Sequence, residues 1–159
     1  PIAILDAKEV NGDFHARFSA QLRSYEYLII NRRSPLTLYK NQAWGVFKQL
    51  NINAMKKAAI NFEGKHDFNG FRSIDCQASS SIKTIQSCTV KKNKQYIVIN
   101  VAAKSFLHSQ VRIITGTLVD VGKGKISPTN IKKIIESKDR SKAGTTAPAH
   151  GLYLLKVEY

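Results

Sequence analysis

Hydrophobic and polar residues alternate along several stretches of the chain, a pattern typical of β-strands. The alternation predicts a long strand over Arg23–Asn31. It also predicts a hairpin of Ile82–Lys91 and Gln95–Ala102, joined by a turn rich in lysine and asparagine. Leu152–Glu158 is predicted as a closing strand, and Ile2–Val10 as an extended segment or edge strand.

Three helices are indicated by apolar residues that recur every three or four positions. The first begins after Asn51, which can cap it, and ends before Gly64. The second covers Phe106–Val121, and the third follows Ser127-Pro128, a capping residue with a first-turn proline. Strands and helices in this order predict an α+β domain, with a mostly antiparallel or mixed sheet and helices packed on one face.

The remaining segments are predicted as loop up to Trp44 and as compact irregular structure over His66–Gln77. With 159 residues, 43% of them hydrophobic, the chain is expected to form a single domain over 1–159 with its own core. No apolar run approaches the ~18 residues of a membrane span. Cys76 and Cys88 lack metal-ligand spacing, and we expect them to be reduced thiols of a cytoplasmic protein.

The chain is strongly basic, with 25 Lys and Arg against 11 Asp and Glu and a net charge of +14. A charge of this sign favours a polyanionic partner, because basic side chains that neutralise phosphates release counterions. Lysine accounts for 18 of the basic residues, so a drift in codon usage is an alternative explanation. Arginine is the more informative residue, since it can both fork onto phosphate and stack on bases. Most arginines lie in or beside aromatic-rich segments: Arg17, Arg23, Arg32, Arg33 and Arg72.

One further arginine, Arg112, stands inside the apolar pattern of the second helix. The buried face of that helix is marked by Leu107, Val111, Ile114, Leu118 and Val121. Arg112 lies next to this face, and a buried guanidinium requires a carboxylate or phosphate partner. The alternative interpretation is a structural salt bridge or a solvated position at the edge of the helix.

Three runs in the sequence carry a family resemblance. Phe14–Ala20 reads Phe-His-Ala-Arg-Phe-Ser-Ala, Arg23–Tyr27 reads Arg-Ser-Tyr-Glu-Tyr, and Phe106–Arg112 reads Phe-Leu-His-Ser-Gln-Val-Arg. In this order and spacing they resemble the signature of the TruA family of tRNA pseudouridine synthases. Further matching pieces are His66–Arg72, Cys76-Gln77, Lys138–Arg140 and Ala143–Leu154. Two positions depart from the family pattern, because Gln110 stands where Met is usual and Glu26 where a basic residue is common.

The resemblance implies an enzyme that isomerises uridine to pseudouridine in the anticodon arm of tRNA, without a cofactor or a metal. It implies that Arg112 pairs with the catalytic Asp and that the ring of Tyr25 stacks on the target base. Leu152 would form an apolar wall near that base. The residues expected to contact RNA or support the mouth of the cleft are His15, Arg17 and Arg23. The resemblance also implies a homodimer, with tRNA as the partner and no membrane.

The family nucleophile is an Asp in a Gly-Arg-Thr-Asp-x-Gly-Val-His segment, and none of the 11 acidic residues has that context. The family fold has two related α+β halves whose sheets join along a cleft. We therefore expect this chain to be the C-terminal half, supplying one wall of the cleft, and to be inactive alone. Its opening, Pro1–Asp6, has no Met and does not resemble a signal peptide.

A second hypothesis is a non-catalytic RNA-binding module that uses its sheet as a platform. Modules of that kind carry a Lys/Arg-Gly-Phe-Gly-Phe type of run, which is missing from this sequence. Tyr25 and Arg112 match the synthase pattern instead.

Overall fold

The computed structural model describes residues 2–159, which form one six-stranded sheet and three α-helices. The strands are β1 Leu22–Asn31, β2 Trp44–Val46, β3 Gly64–Asp67, β4 Ile82–Asn93, β5 Tyr96–Ala103 and β6 Leu152–Glu158. The helices are α1 Ile52–Ala59, α2 Gln110–Gly122 and α3 Ile131–Ser137, with short 3-10 turns between elements. The predicted α+β fold is confirmed.

β1 lies near the middle of the sheet and organises it. One edge of β1 pairs with antiparallel β5, which continues to β4 and β3. The other edge pairs with two strands in succession, antiparallel β6 beside the first half of β1 and parallel β2 beside its end. Tyr27 is thus flanked by Ile99 and Leu152. The sheet is mixed and mostly antiparallel, as predicted.

The helices lie on one face of the sheet. Along β5, Ile97, Ile99, Val101 and Ala103 are buried, while the residues between them are only half-buried. α2 is buried at almost every position, because it packs between the sheet and its neighbours. It is also close to α1: a Cβ on Gly122 would come within 2.8 Å of the sulfur of Met55.

The loop that follows α3 is fastened directly to the backbone of α2. A Cβ on Gly116 would lie 1.6 Å from the carbonyl oxygen of Thr145, so no side chain fits there. Gly144 also approaches the helix closely, since a Cβ on it would lie 2.6 Å from the backbone of Thr117, and its N–H donates to Thr117 Oγ1 at 2.9 Å. About one turn earlier along α2, the carbonyl oxygen of Arg112 accepts from Ala147 N at 3.1 Å. This loop leads into β6 and therefore fixes Leu152 relative to Arg112.

Several predicted elements are confirmed. They are the strand β1, the hairpin β4–β5, the first helix with Asn51 as its cap, the helix that follows Ser127-Pro128, and the strand β6. The Asn51 side chain accepts from Ala54 N at 3.0 Å. Gly64 ends the α1 region in the left-handed conformation, with φ +96°.

Three predictions about element boundaries were wrong. For Ile2–Val10 the edge-strand alternative was wrong: the segment pairs with no strand among residues 2–159, and Ile2 and Leu5 are almost fully exposed. The second helix begins at Gln110 rather than Phe106, since Ser109 is left-handed with φ 63° and interrupts the helical backbone. The segments predicted as loop and irregular structure overlap two short strands at their margins, because Trp44 begins β2 and His66–Asp67 end β3.

Candidate active-site cavity

A cavity of about 660 Å³ opens where β1, the start of α2 and the start of β6 meet. Tyr25 contributes to it from β1, Arg112 from the first turn of α2, and Leu152 from β6. Arg17 lines it from the segment that precedes β1. Four of the six residues predicted for the site, drawn from widely separated parts of the chain, thus lie around one cavity.

Arg112 is held by its inner nitrogen and leaves its outer ones unused. Its Nε donates to the carbonyl oxygen of Ala147 at 2.7 Å, and the side chain is half-buried. Among residues 2–159, Nη1 and Nη2 have no hydrogen-bond partner, and no carboxylate lies within 4.0 Å of the guanidinium. The positive charge is felt by Tyr27: burial raises the pKa of that phenol, and Arg112 partly counteracts the rise. The arrangement presents a forked cation to the cavity.

Tyr25 presents an aromatic ring beside this cation. The ring meets Phe106 edge-on, with centroids 5.3 Å apart and an interplanar angle of 85°. Such a T-shaped pair fixes the orientation of both rings. Phe106 lies outside α2, in the turn before it, which is why it can reach β1. It was not predicted as a site residue, although it belongs to the same sequence run as Arg112.

Tyr27, two residues further along β1, supports the loop behind Arg112. It is completely buried, and its hydroxyl donates to the carbonyl oxygen of Pro148 at 2.6 Å. A Cβ on Gly151 would lie 2.8 Å from its ring, so the loop packs closely on it. Tyr27 and Arg112 therefore hold neighbouring carbonyl groups of one loop, and the loop carries Leu152 to the cavity.

A second cavity of about 430 Å³ adjoins the first, and the two share Arg17, Tyr25, Ala78 and Phe106. Arg23 lines this second cavity. Its guanidinium donates to the carbonyl oxygens of Lys104 and Arg17, so it joins the segment before β1 to the end of the β5 region. His15 lines neither cavity: its Nδ1 accepts from Arg17 N at 3.1 Å and from Phe18 N at 3.3 Å.

Cys76 and Gln110 also line the first cavity and, like Phe106, were not predicted for the site. Burial alone would raise the pKa of the Cys76 thiol, but N–H groups of Ala78 and His108 and the nearby positive charges outweigh burial and lower it. Cys88 is fully buried instead, which raises its pKa to about 12. Gln110 is also fully buried: its Oε1 accepts from Leu107 N at 2.8 Å, while its Nε2 has no partner within residues 2–159. Both lie in the motif runs, but their residue types gave no catalytic signal.

Over residues 2–159, no group of three or more His, Cys, Asp or Glu side chains could hold a metal ion. In the same range, no helix is long and apolar enough to cross a membrane.

Comparison with known proteins agrees with the motif resemblance. The sequence profile of a family described as "tRNA pseudouridine synthase" matches residues 58–159. The chain therefore belongs to the tRNA pseudouridine synthase family, and the resemblance predicted from its motifs is confirmed.

Proteins named tRNA pseudouridine synthase A are similar along the whole chain. The one from Ehrlichia ruminantium (strain Welgevonden) is 51% identical over 158 residues, 99% of this chain and 64% of that relative. The one from Anaplasma phagocytophilum (strain HZ) is 49% identical with the same coverage. The one from Wolbachia pipientis wMel is 48% identical over 159 residues, 100% of this chain and 65% of the relative. The chain thus spans less than two thirds of the length of these curated relatives.

Proposed function

We propose that this chain is the C-terminal domain of a tRNA pseudouridine synthase that isomerises uridine to pseudouridine in the anticodon arm. The observation that carries the proposal is the convergence of Arg112, Tyr25 and Leu152 on one cavity. A forked cation, an aromatic ring and an apolar wall are what binding a flipped base beside a carboxylate requires.

The reaction breaks the bond between C1′ and N1 of uridine and joins C1′ to C5 of the same ring; C5 loses its proton, and N1 takes one up. The base must leave the helical stack before this can happen, at a cost of a few kcal/mol. We propose that Tyr25 offsets part of this cost by stacking on the base, and that Leu152 closes the other side of the cavity. A dry, close-fitting site strengthens the electrostatic interactions within it.

Arg112 acts on the nucleophile in this proposal. No carboxylate of residues 2–159 lies within 4.0 Å of its guanidinium, although Asp75 lines the same cavity, and a half-buried guanidinium is stabilised by a carboxylate that accepts both hydrogen bonds. We propose that this carboxylate is the catalytic Asp, supplied by a part of the protein outside this chain. The pairing would keep the Asp ionised by lowering its pKa and would orient it toward the sugar.

Release of the C5 hydrogen provides a direct test. In tRNA transcripts carrying [5-³H]uridine, each turnover liberates one tritium to water. The complete protein is expected to release tritium, whereas the 159-residue chain alone is expected to release none, because its sequence lacks the Asp motif. Release by the isolated chain would contradict the placement of the nucleophile outside it.

The RNA-binding module predicted as an alternative makes a different forecast for the same assay. A complete protein that binds tRNA but never releases tritium, under any single-turnover condition, would favour the module over the enzyme. Two finer expectations belong to the proposal: a cytoplasmic location, which rests on the two unpaired cysteines, and a homodimer, which rests on the resemblance alone. Light scattering of the complete protein in solution measures the second.

The proposal extends to the three residues predicted to contact RNA: His15, Arg17 and Arg23. We propose that Arg17 reaches the phosphate backbone at the mouth of the cavity, since it lines both cavities. Arg23 contributes to RNA binding mainly by positioning the segment that carries Arg17, because its guanidinium already donates to the carbonyl oxygens of Lys104 and Arg17. His15 acts one step further back, through its bonds to the backbone N–H groups of Arg17 and Phe18.

A further inference from the structure

Phe18 is a large apolar side chain that the fold leaves in the open. It is 71% exposed, although its ring touches the His15 ring at a centroid distance of 4.4 Å and Arg17 at 5.5 Å. A single exposed apolar residue needs no explanation by itself. Its position does, because Phe18 lines the second cavity, next to the proposed catalytic one.

The segment that carries Phe18 is held at several points. Ser19 N donates to the carbonyl oxygen of His15 at 2.8 Å, and Ser19 Oγ accepts from His15 N at 2.9 Å. The hydroxyl of Tyr159 donates to the carbonyl oxygen of Ala16 at 3.1 Å. The guanidinium of Arg23 holds the carbonyl oxygen of Arg17. The exposed ring is therefore presented by an organised turn.

The wall of the second cavity combines cations with aromatic rings. With a volume of about 430 Å³, it falls within the range of roughly 300–1,000 Å³ typical of ligand sites. No carboxylate lines it among residues 2–159. The side chains that define its chemistry are Arg17, Arg23, Lys83, Phe18, Tyr25 and Phe106. Aromatic faces beside basic side chains are the means by which proteins bind single-stranded nucleic acid.

The edge-on pair of Tyr25 and Phe106 lines both cavities, as Arg17 and Ala78 do. A nucleotide whose base occupies the first cavity is joined by one phosphate to the nucleotide on either side. Two nucleotides linked in this way can occupy two cavities that share wall residues. An unpaired loop of RNA has neighbouring bases that are free to turn out, which a duplex does not.

We propose that the second cavity is a subsite for the nucleotide adjacent to the target uridine. The base of that nucleotide packs on Phe18, and its phosphate lies against Lys83 and Arg17. This inference rests on the proposed function and adds to it a determinant of sequence context: a purine, with its larger face, is favoured beside the target over a pyrimidine.

Binding of anticodon-arm hairpins by the complete protein tests the subsite. Phe18→Ala is expected to weaken binding by about 5- to 100-fold, as removal of a stacking aromatic does. Phe47→Ala is the matched control, because Phe47 is 58% exposed and lines neither cavity. Lys83→Gln is expected to lessen the salt dependence of binding, whereas Lys133→Gln, on α3, leaves it unchanged.

A hairpin with an abasic residue beside the target gives the decisive comparison. On this RNA, Phe18→Ala is expected to change affinity by less than about twofold, because the stacked base is already missing. In a parallel measurement, 2-aminopurine at the flanking position is quenched by the protein and loses this quenching with Phe18→Leu, a milder variant that serves if Phe18→Ala does not fold.

The outcomes distinguish a failure of the proposed subsite from a failure of the proposed function. Wild-type binding and tritium release, together with an equal loss from Phe18→Ala on intact and abasic RNA, would overturn the subsite and leave the proposed function standing. Equal loss would assign Phe18 to contacts with protein or with phosphate only. A wild-type protein that neither binds the hairpin nor releases tritium would overturn both.

Discussion

Replacement of Arg112 in the complete protein tests the central pairing most directly. Arg112→Ala removes two things that the structure separates: the Nε bond to the carbonyl oxygen of Ala147, at 2.7 Å, and the outer nitrogens that face the cavity. The first is a fastening of the loop, and the second is the proposed partner of the catalytic Asp. Each can be followed by its own measurement.

The loop bond contributes about 1.5–3 kcal/mol to folding stability, the range for a hydrogen bond to a charged group. The outer nitrogens act on the rate. Removing a single preorganised donor to a reacting anion lowers kcat by about 10²–10³-fold. Two donors and a full charge are lost here, so we expect a decrease of several orders of magnitude. Arg112→Lys should recover part of it, because the charge remains while the fork is lost.

Single-turnover tritium release from saturating tRNA reports the chemical step, and a binding titration reports affinity. The expected result is a large loss of rate with tRNA affinity nearly unchanged. Tyr27→Phe is the matched control, since it removes another fastening of the same loop, the 2.6 Å bond to Pro148, without touching Arg112. Normal single-turnover chemistry in Arg112→Ala, with weakened binding, would refute the pairing. An equal loss of rate in Tyr27→Phe would refute the separation of loop and charge.

Two further predictions concern single side chains. Iodoacetamide, an alkylating reagent, is expected to modify Cys76 well before Cys88 in the folded protein and to slow tritium release. The reason is that Cys76 lines the cavity and its thiol has a lowered pKa, whereas burial raises the pKa of Cys88. Mass spectrometry of time points measures the modification, and the Cys76→Ser control should not be inhibited. The Ser81 hydroxyl, and after it Lys138, lower the pKa of Asp67 in the folded protein. The stability that Asp67 contributes is therefore present above its unfolded-state pKa of about 3.9 and is lost as the pH falls through its folded-state pKa. Asp67→Asn should therefore destabilise the protein at neutral pH by about 1 kcal/mol and flatten its acid unfolding curve. Asp13→Asn, at an exposed position, should change neither quantity. Identical acid unfolding curves for Asp67→Asn and the wild type would contradict the prediction.

The strands and helices that follow a single hydrophobic period were predictable from sequence. Tyr25 and Tyr27 alternate along β1, and the spacing around Arg112 predicts a buried helix face, because each pattern depends only on local backbone geometry. The start of α2 was not predictable in this way. Phe106 and Leu107 continue the apolar spacing, but the left-handed Ser109 ends the helix before it reaches them.

The assembly of the cavity depends on pairing between distant segments. Leu152 lies beside Tyr27 because β6 pairs with β1 across more than a hundred residues, and no local pattern contains that information. The family motifs, taken together, predicted that Arg112, Tyr25 and Leu152 lie at one site. They gave no warning that Arg23 is bonded to the carbonyl oxygens of Lys104 and Arg17, since the motif records residue type and not side-chain direction.

The contact between Gly116 and Thr145 has a consequence for how this protein can change over time. Helix and loop meet there backbone to backbone, so the approach of the loop that leads to Leu152 onto the helix that carries Arg112 depends on no side chain at that contact. Side chains on the lysine-rich exterior have no part in that spacing. The surface is therefore free to drift in composition, from arginine to lysine or from acidic to neutral, while the cavity keeps its dimensions. Substitution is restricted at the contact itself, at Gly116 and Gly144, where a Cβ would clash with the facing backbone.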